Sequence, residues 1–100
     1  MVGKPKIIWD DDAKKFLKSA LHYIRSDSPQ NAEKVKREIK AIVRALSVNP
    51  ERHPQDKYRI NKNDSYRAFE LYKLRFSYVI SDTEIRIVRI RHTSQEPLFY

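Results

Sequence analysis

Residues 66–92 have the sequence YRAFELYKLRFSYVISDTEIRIVRIRH, and they predict most of a β-sheet. Its three runs, 66–71, 74–81 and 84–92, are rich in the aromatic and β-branched residues typical of β-strands. In the middle run apolar and polar side chains alternate, as in a strand that buries one face. Ser81-Asp82-Thr83 supplies a turn, so the sequence predicts an antiparallel hairpin for the last two runs.

The last run has apolar residues near its start and basic residues near its end. Strict alternation predicts two faces along it, one with Arg86, Val88, Ile90 and His92 and the other with Ile85, Ile87, Arg89 and Arg91. Apolar residues on both faces predict an interior strand, and the basic end predicts that the strand emerges into a charged groove.

Upstream of the sheet the apolar period becomes helical. From Ala13, apolar residues recur every three or four positions until about Arg25-Ser26-Asp27. Ser28-Pro29 predicts the start of a second helix, because serine caps free N–H groups and proline suits the first helical position. Asn49-Pro50 ends it. The link between the helices is short, so we expect an antiparallel hairpin.

The ends of the helical region define the remaining elements. Ile7-Ile8-Trp9 predicts an edge strand, followed by three aspartates that suit a helix N-terminus. Residues 51–65 form a polar connector in which Tyr58-Arg59-Ile60 is a candidate brief strand. The predicted fold class is α+β, with an N-terminal strand and an antiparallel helical hairpin packed on a three- to four-stranded antiparallel sheet. One domain, residues 1–100, is expected.

The charge balance favours an anionic partner. Twenty-one Lys and Arg residues against thirteen Asp and Glu residues give a net charge of +8 at neutral pH. A field of this sign attracts phosphate-bearing partners and equally attracts an acidic protein.

Other chemistries find little support in the composition. The chain has no cysteine, which excludes disulfides and a cysteine nucleophile, and its three histidines have no metal-ligand spacing. We therefore predict no metal and no cofactor. There is no apolar run long enough for a signal peptide or a membrane span, so we expect a cytoplasmic protein without a membrane partner.

The order of strand, helix hairpin, three antiparallel strands and short tail resembles the RelE/ParE toxin superfamily. The resembling residues follow the same order as the elements: Trp9 with Asp12-Ala13; Tyr23-Ile24, Asp27-Ser28-Pro29 and Asn31-Ala32; Asn49-Pro50-Glu51 and Pro54; Tyr66-Arg67, Arg75 and Tyr78; Ile90-Arg91-His92-Thr93; and the closing Pro97 to Tyr100. The resemblance spans nearly the whole chain.

The resemblance implies the toxin of a two-component type II toxin–antitoxin module, of the kind also called plasmid stabilisation proteins, neutralised by a cognate acidic antitoxin. RelE-like members cut messenger RNA on the ribosome without a metal, whereas ParE-like members poison DNA gyrase. Because RelE-like and ParE-like members share the fold, the fold alone does not show whether the target is messenger RNA or gyrase.

The leading hypothesis is ribosome-dependent mRNA cleavage, which needs a proton-transfer group and cations that stabilise the phosphorane. His92 is the candidate acid or base, because histidine ordinarily titrates near neutral pH. Arg67 and Arg75 are the candidate phosphate-stabilising groups, because a guanidinium fits phosphate. The alternatives are a histidine that holds the tail in place and arginines paired with carboxylates on the sheet.

Further candidates flank these three. Tyr100 resembles the terminal tyrosine that some RelE-like enzymes use for stacking or proton transfer, although the tail could instead pack on the core. Arg91, Arg89 and Lys73 are candidate nucleic-acid contacts.

The chain departs from the RelE pattern at a lysine pair: Arg67 stands near one position and apolar Phe69 near the other. A gyrase inhibitor that is no enzyme and an inactive antitoxin-binding member therefore stay open as alternatives.

Overall fold

The structure is a computed structural model that describes residues 4–61, 65–95 and 99–100. Its main elements, in chain order, are β1 (Lys6–Trp9), α1 (Asp11–Asp27), α2 (Pro29–Leu46), β2 (Tyr66–Leu71), β3 (Leu74–Ile80) and β4 (Glu84–His92). Single 3-10 turns follow α2 and β4, at Pro50–Arg52 and Thr93–Gln95. Within these ranges, no helix is both long and apolar enough to cross a membrane.

The two helices pack on a sheet of strand order β1-β4-β3-β2, so the predicted α+β architecture is confirmed. One pairing differs from the prediction: β1 runs parallel to β4, which makes the sheet mixed. Strands joined by a tight turn must be antiparallel, as β2, β3 and β4 are. The helix hairpin and two further strands separate β1 from β4 along the chain, so no turn fixes its direction.

A single serine joins the two helices. The backbone N–H of Ser28 donates to Ile24 O at the end of α1, while its side chain accepts from Asn31 N at 3.2 Å at the start of α2. Pro29 occupies the first turn of α2, where a missing N–H costs nothing. The hairpin joint predicted at Ser28-Pro29 is therefore confirmed.

A β-bulge interrupts β4. Ser77 of β3 pairs with Arg89, but the next residue, Tyr78, pairs with Ile87, so Val88 has no partner in β3. An extra residue in one strand shifts the alternation of side chains beyond it. The prediction of strict alternation in this strand was therefore wrong.

The bulge has consequences on both faces of the sheet. It turns Ile90 to the same side as Ile85 and Ile87, and all three are fully buried under the helices. On the opposite side, which we call the outer face, it aligns Arg86, Arg89 and Arg91 with Val79, Ser77 and Arg75 of β3. Strict alternation would place Arg86 on one face and Arg89 and Arg91 on the other, whereas with the bulge all three lie on the outer face.

The core lies between the helical hairpin and the inner face of the sheet. Phe76 and Tyr78 are fully buried there, and the ring of Phe69 stacks on Phe76 with centroids 4.8 Å apart. The Tyr78 hydroxyl donates to Pro50 O at 2.7 Å, and burial raises the pKa of Tyr78 to about 12. This buried hydroxyl therefore stays protonated and fixes the chain that leaves α2.

A side-chain ion pair joins the end of β1 to β4 as well. Arg86 of β4 donates to Asp10, just after β1, at 2.8 Å, and also to Glu84 of its own strand at 2.9 Å. The N-terminal strand is thereby tied to a residue far along the chain.

Ile87→Ala should lower the free energy of unfolding by about 2–5 kcal/mol, because it leaves a cavity in a fully buried site. Chemical denaturation of the purified chain measures this. The matched control is Ile60→Ala, which removes the same atoms from a side chain that is 67 % exposed, and should change the value by less than about 0.5 kcal/mol. Equal losses in the two variants would contradict the assigned core.

Candidate functional site

Asp56 and Arg75 form a buried ion pair on the outer face. Asp56 is fully buried and Arg75 is 8 % exposed. One guanidinium nitrogen of Arg75 contacts Asp56 Oδ1 at 3.1 Å, and another contacts Glu70 Oε2 at 2.9 Å. A guanidinium held by two carboxylates is a strong, directional arrangement. Arg75, predicted as a phosphate-stabilising group, thus already has two anionic partners.

Tyr100 completes this pair from the end of the chain. Its hydroxyl donates to Asp56 Oδ2. Its backbone N–H donates to Tyr58 O at 3.0 Å, and its carbonyl accepts from Ile60 N at 2.6 Å. The candidate brief strand at Tyr58–Ile60 forms no assigned strand, but it does hold Tyr100 through these main-chain bonds. Pro97 and Leu98 of the predicted closing segment lie outside the described residues.

Arginines and tyrosines stack in alternation around this point. The guanidinium of Arg59 lies 4.0 Å from the ring centroid of Tyr66 and 5.1 Å from that of Tyr100. The guanidinium of Arg89, a residue that is only 8 % exposed, lies 4.4 Å from the centroid of the Tyr100 ring. Cation–π contacts of this kind gain strength when they are shielded from water. We call this set the outer-face cluster: Asp56, Tyr58, Arg59, Tyr66, Arg75, Arg89 and Tyr100.

Protonation states in the cluster are fixed near neutral pH. Burial alone would raise the pKa of Asp56, but hydrogen bonds from Tyr100, Tyr58 N, Ser77 and Arg75 outweigh burial and lower it. Burial and the bond to Asp56 raise the pKa of Tyr100. Asp56 is therefore ionised and Tyr100 protonated, and neither is tuned to exchange a proton at pH 7.

Arg67 lies on the other side of the sheet from Arg75. It pairs with Tyr78, whose side chain is in the core, whereas Arg75 belongs to the outer face. Arg67 donates to His53 O at 2.7 Å and to Glu51 O at 3.3 Å, so its guanidinium anchors the connector after α2. The structure does not bring the two predicted phosphate-stabilising arginines together.

His92 lies at the end of β4, on the same side as Arg67 but at the other end of the strands. It pairs with Leu74, while Arg67 pairs with Tyr78. These positions on β3 are four residues apart, or about 13 Å along the strand. The exposed ring of His92 accepts at Nδ1 from Ser94 N at 3.1 Å, which ties it to the turn that follows β4.

The candidate nucleic-acid contacts are also dispersed. The Arg91 guanidinium lies 5.7 Å from the ring of Phe16 in α1 and donates to its neighbour's carbonyl, Ile90 O, at 2.8 Å. Lys73 is exposed in the β2–β3 turn, where Tyr72 and Lys73 both have positive φ values, 53° and 62°. Thr93 N donates to Lys73 O at 2.7 Å and so fixes the turn.

Four members of the cluster were not candidate site residues in the sequence analysis: Asp56, Tyr58, Arg59 and Tyr66. The first three lie in the connector, which has no apolar period to show which residue faces inwards. The available signal was a lone acidic residue two positions after Pro54, followed by Tyr58-Arg59. Within the part of the chain that the structure describes, no group of three His, Asp or Glu residues could hold a metal ion.

Comparison with known proteins gives a consistent result. The model of a family described as "ParE toxin of type II toxin-antitoxin system, parDE" matches residues 7–97. A chain of the solved structure "Chromosomal ParDE TA system from P. aeruginosa" is similar to this chain, with a TM-score of 0.66 and 21% identity over 89% of this chain and 96% of that one. At this identity the structural likeness shows the fold. No curated protein matches.

Asp56→Ala should lower the free energy of unfolding by about 3–5 kcal/mol, because it leaves the Arg75 guanidinium buried without its main partner. Glu70→Ala removes the other partner of the same guanidinium, but the Glu70 side chain is 50% exposed, so about 1 kcal/mol or less is expected. Denaturant titration of both variants measures the difference. A larger loss in the Glu70 variant would contradict the described burial.

The lowered pKa of Asp56 also predicts an acid limit to stability. A carboxyl with a depressed pKa in the folded state stabilises the fold above its unfolded value, about 3.9, and this contribution disappears as pH falls through the folded-state pKa. The free energy of unfolding should therefore fall below about pH 4. Tyr100→Phe removes the first hydrogen bond that lowers this pKa, which brings the folded and unfolded values closer, so the acid decline should be smaller in this variant. Identical pH profiles would contradict the assignment.

Proposed function

The chain belongs to the ParE toxin family of type II toxin–antitoxin systems, and on this basis we propose that it inhibits DNA gyrase without catalysing a reaction. ParE-like proteins of the superfamily poison gyrase, as the resemblance in the sequence implied. An antitoxin partner follows from the family, and the net charge of +8 suits an acidic one.

The observation that carries the proposal is the separation of the residues that RNA cleavage would need. A proton-transfer group and the phosphate-stabilising cations must reach the same phosphodiester. Arg75 lies on the outer face and Arg67 on the inner side of the sheet, and His92 is about 13 Å from Arg67 along the strands. This arrangement supports a binding role over a catalytic one.

The state of the outer-face cluster supports the same proposal. Arg75 is neutralised by Asp56 and Glu70, and Tyr100 is a protonated hydrogen-bond donor to Asp56. A cationic group already paired with buried carboxylates has little left to offer a developing phosphorane charge. These residues stabilise the fold, and mRNA cleavage on the ribosome ranks as the second hypothesis.

Induction of the chain in a bacterium, with protein and DNA synthesis followed separately, tests the proposal. We expect DNA synthesis to fail first and a DNA damage response to appear, and we expect the purified chain to inhibit supercoiling by purified gyrase. His92→Ala should keep at least about half of the inhibition, because a binding mechanism needs no titrating residue.

The complementary measurement is whether messenger RNA is intact or cleaved after induction. Cleaved transcripts and an early stop in protein synthesis, both abolished by His92→Ala, would overturn the gyrase proposal in favour of the RNA-cutting hypothesis. The exposed position of His92 makes this variant a clean test, since its loss removes no core contact.

A further inference from the structure

The turn between β2 and β3 holds two residues at positive φ. Leu71 pairs with Leu74, so Tyr72 and Lys73 make up the whole turn, and their φ values are 53° and 62°. A two-residue turn of this kind favours asparagine and glycine, because larger side chains crowd the backbone at positive φ. Tyrosine and lysine at these two positions therefore destabilise the fold relative to the residues that the turn prefers.

The surrounding structure enforces this strained conformation. The backbone N–H of Thr93 donates to Lys73 O at 2.7 Å, which ties the turn to the segment that follows β4. Leu74, the residue directly after the turn, is 3 % exposed and anchors β3 in the core. Strain that neighbouring elements hold in place is typical of residues that bind a ligand.

The two side chains in the turn contribute little to the fold. Tyr72 is 40 % exposed, and Lys73 is exposed as well. Within the described part of the chain, the Tyr72 ring stacks on no other ring and no cation, and Lys73 forms no ion pair. The tyrosines of the outer-face cluster, in contrast, each lie against an arginine. No described contact of Tyr72 therefore offsets its unfavourable φ.

The chain around the turn is basic. The bond from Thr93 to Lys73 brings residues 71–74 and 91–95 together, and these segments include Lys73, Arg91 and His92 but no carboxylate. An exposed aromatic ring beside cations suits an unpaired nucleobase, which stacks on the ring while its phosphate meets the cations. An acidic peptide would satisfy the cations but has no need of a flat exposed ring, so a nucleic acid is the better partner.

We propose that the turn formed by Tyr72 and Lys73 binds single-stranded nucleic acid, with one base stacked on Tyr72 and a neighbouring phosphate beside Lys73. The bases of a duplex already stack on one another, so the site selects an unpaired strand. The rigid turn holds the ring in place before binding and so lowers the entropy lost when the strand binds. This activity goes beyond the proposed inhibition of gyrase and does not depend on it.

Fluorescence anisotropy of the full chain with labelled oligothymidylate of about 12 nucleotides tests the proposal. We expect saturable binding that weakens as salt is added. A hairpin duplex of equal charge should bind at least about fivefold more weakly, because its bases are not free to stack. Oligouridylate of the same length shows whether RNA shares the site with DNA. Equal binding of strand and duplex, or no saturable binding of either single strand, would overturn the proposal.

A double variant separates binding from folding. Tyr72→Asn/Lys73→Gly supplies the residues that the turn prefers, so the midpoint of denaturant unfolding should rise. The same variant removes the ring and the charge, so oligothymidylate binding should weaken at least about tenfold. A turn with only a structural role would give the gain in stability without the loss of binding, and that result would overturn the proposal.

Single substitutions test the stacking contact. Tyr72→Phe keeps the ring and should leave binding within about twofold, whereas Tyr72→Leu should weaken it at least about fivefold. The matched control is Tyr23→Leu, which makes the same change at a tyrosine of α1 that is 79 % exposed, and should leave binding within about twofold. Equal losses in the two leucine variants would overturn the assignment of the site.

Discussion

The buried contact between Arg75 and Asp56 is the interaction on which the outer face depends. An ionised carboxylate with no exposed surface is costly unless its charge and lone pairs are satisfied. Here a guanidinium, a phenol hydroxyl and a backbone N–H satisfy them. Each donor comes from a different part of the chain, so the carboxylate joins β3, the connector and Tyr100 into one unit.

The same kind of constraint holds other arginines of the sheet. Arg75 and Arg89 are buried against carboxylates or aromatic rings, and Arg67 is bonded to main-chain carbonyls. Many exposed cations lie instead on the two helices, among them Lys14, Lys18, Lys40 and Arg44. The arginines of the sheet are therefore engaged within the fold, whereas the helices present cations to solvent.

The sequence predicted the elements well because each has a local signal. Apolar periodicity marked both helices, Ser28-Pro29 marked their joint, and alternation marked β2 and β3. The bulge at Val88 and the parallel direction of β1 have no such signal, since both are decided by pairing between distant segments. The site candidates were chemically suitable residues, but the face of the sheet on which each lies could not be predicted for the same reason. One unpaired residue in β4 changes which arginines lie together. Asp56 was missed because burial in a connector is a tertiary property.

The ion pair between Asp10 and Arg86 has a consequence for the order in which the chain folds during its synthesis. Residues 76 positions apart must meet before the edge strand is secured, and β1 has its partner only after β4 exists. Contacts between such remote segments form late, because the intervening loop must close first. At a synthesis rate of about 5–20 residues per second, several seconds separate the synthesis of β1 from that of β4. During that time β1 is an unpaired strand, and the sheet has no partner for it until β4 has been made.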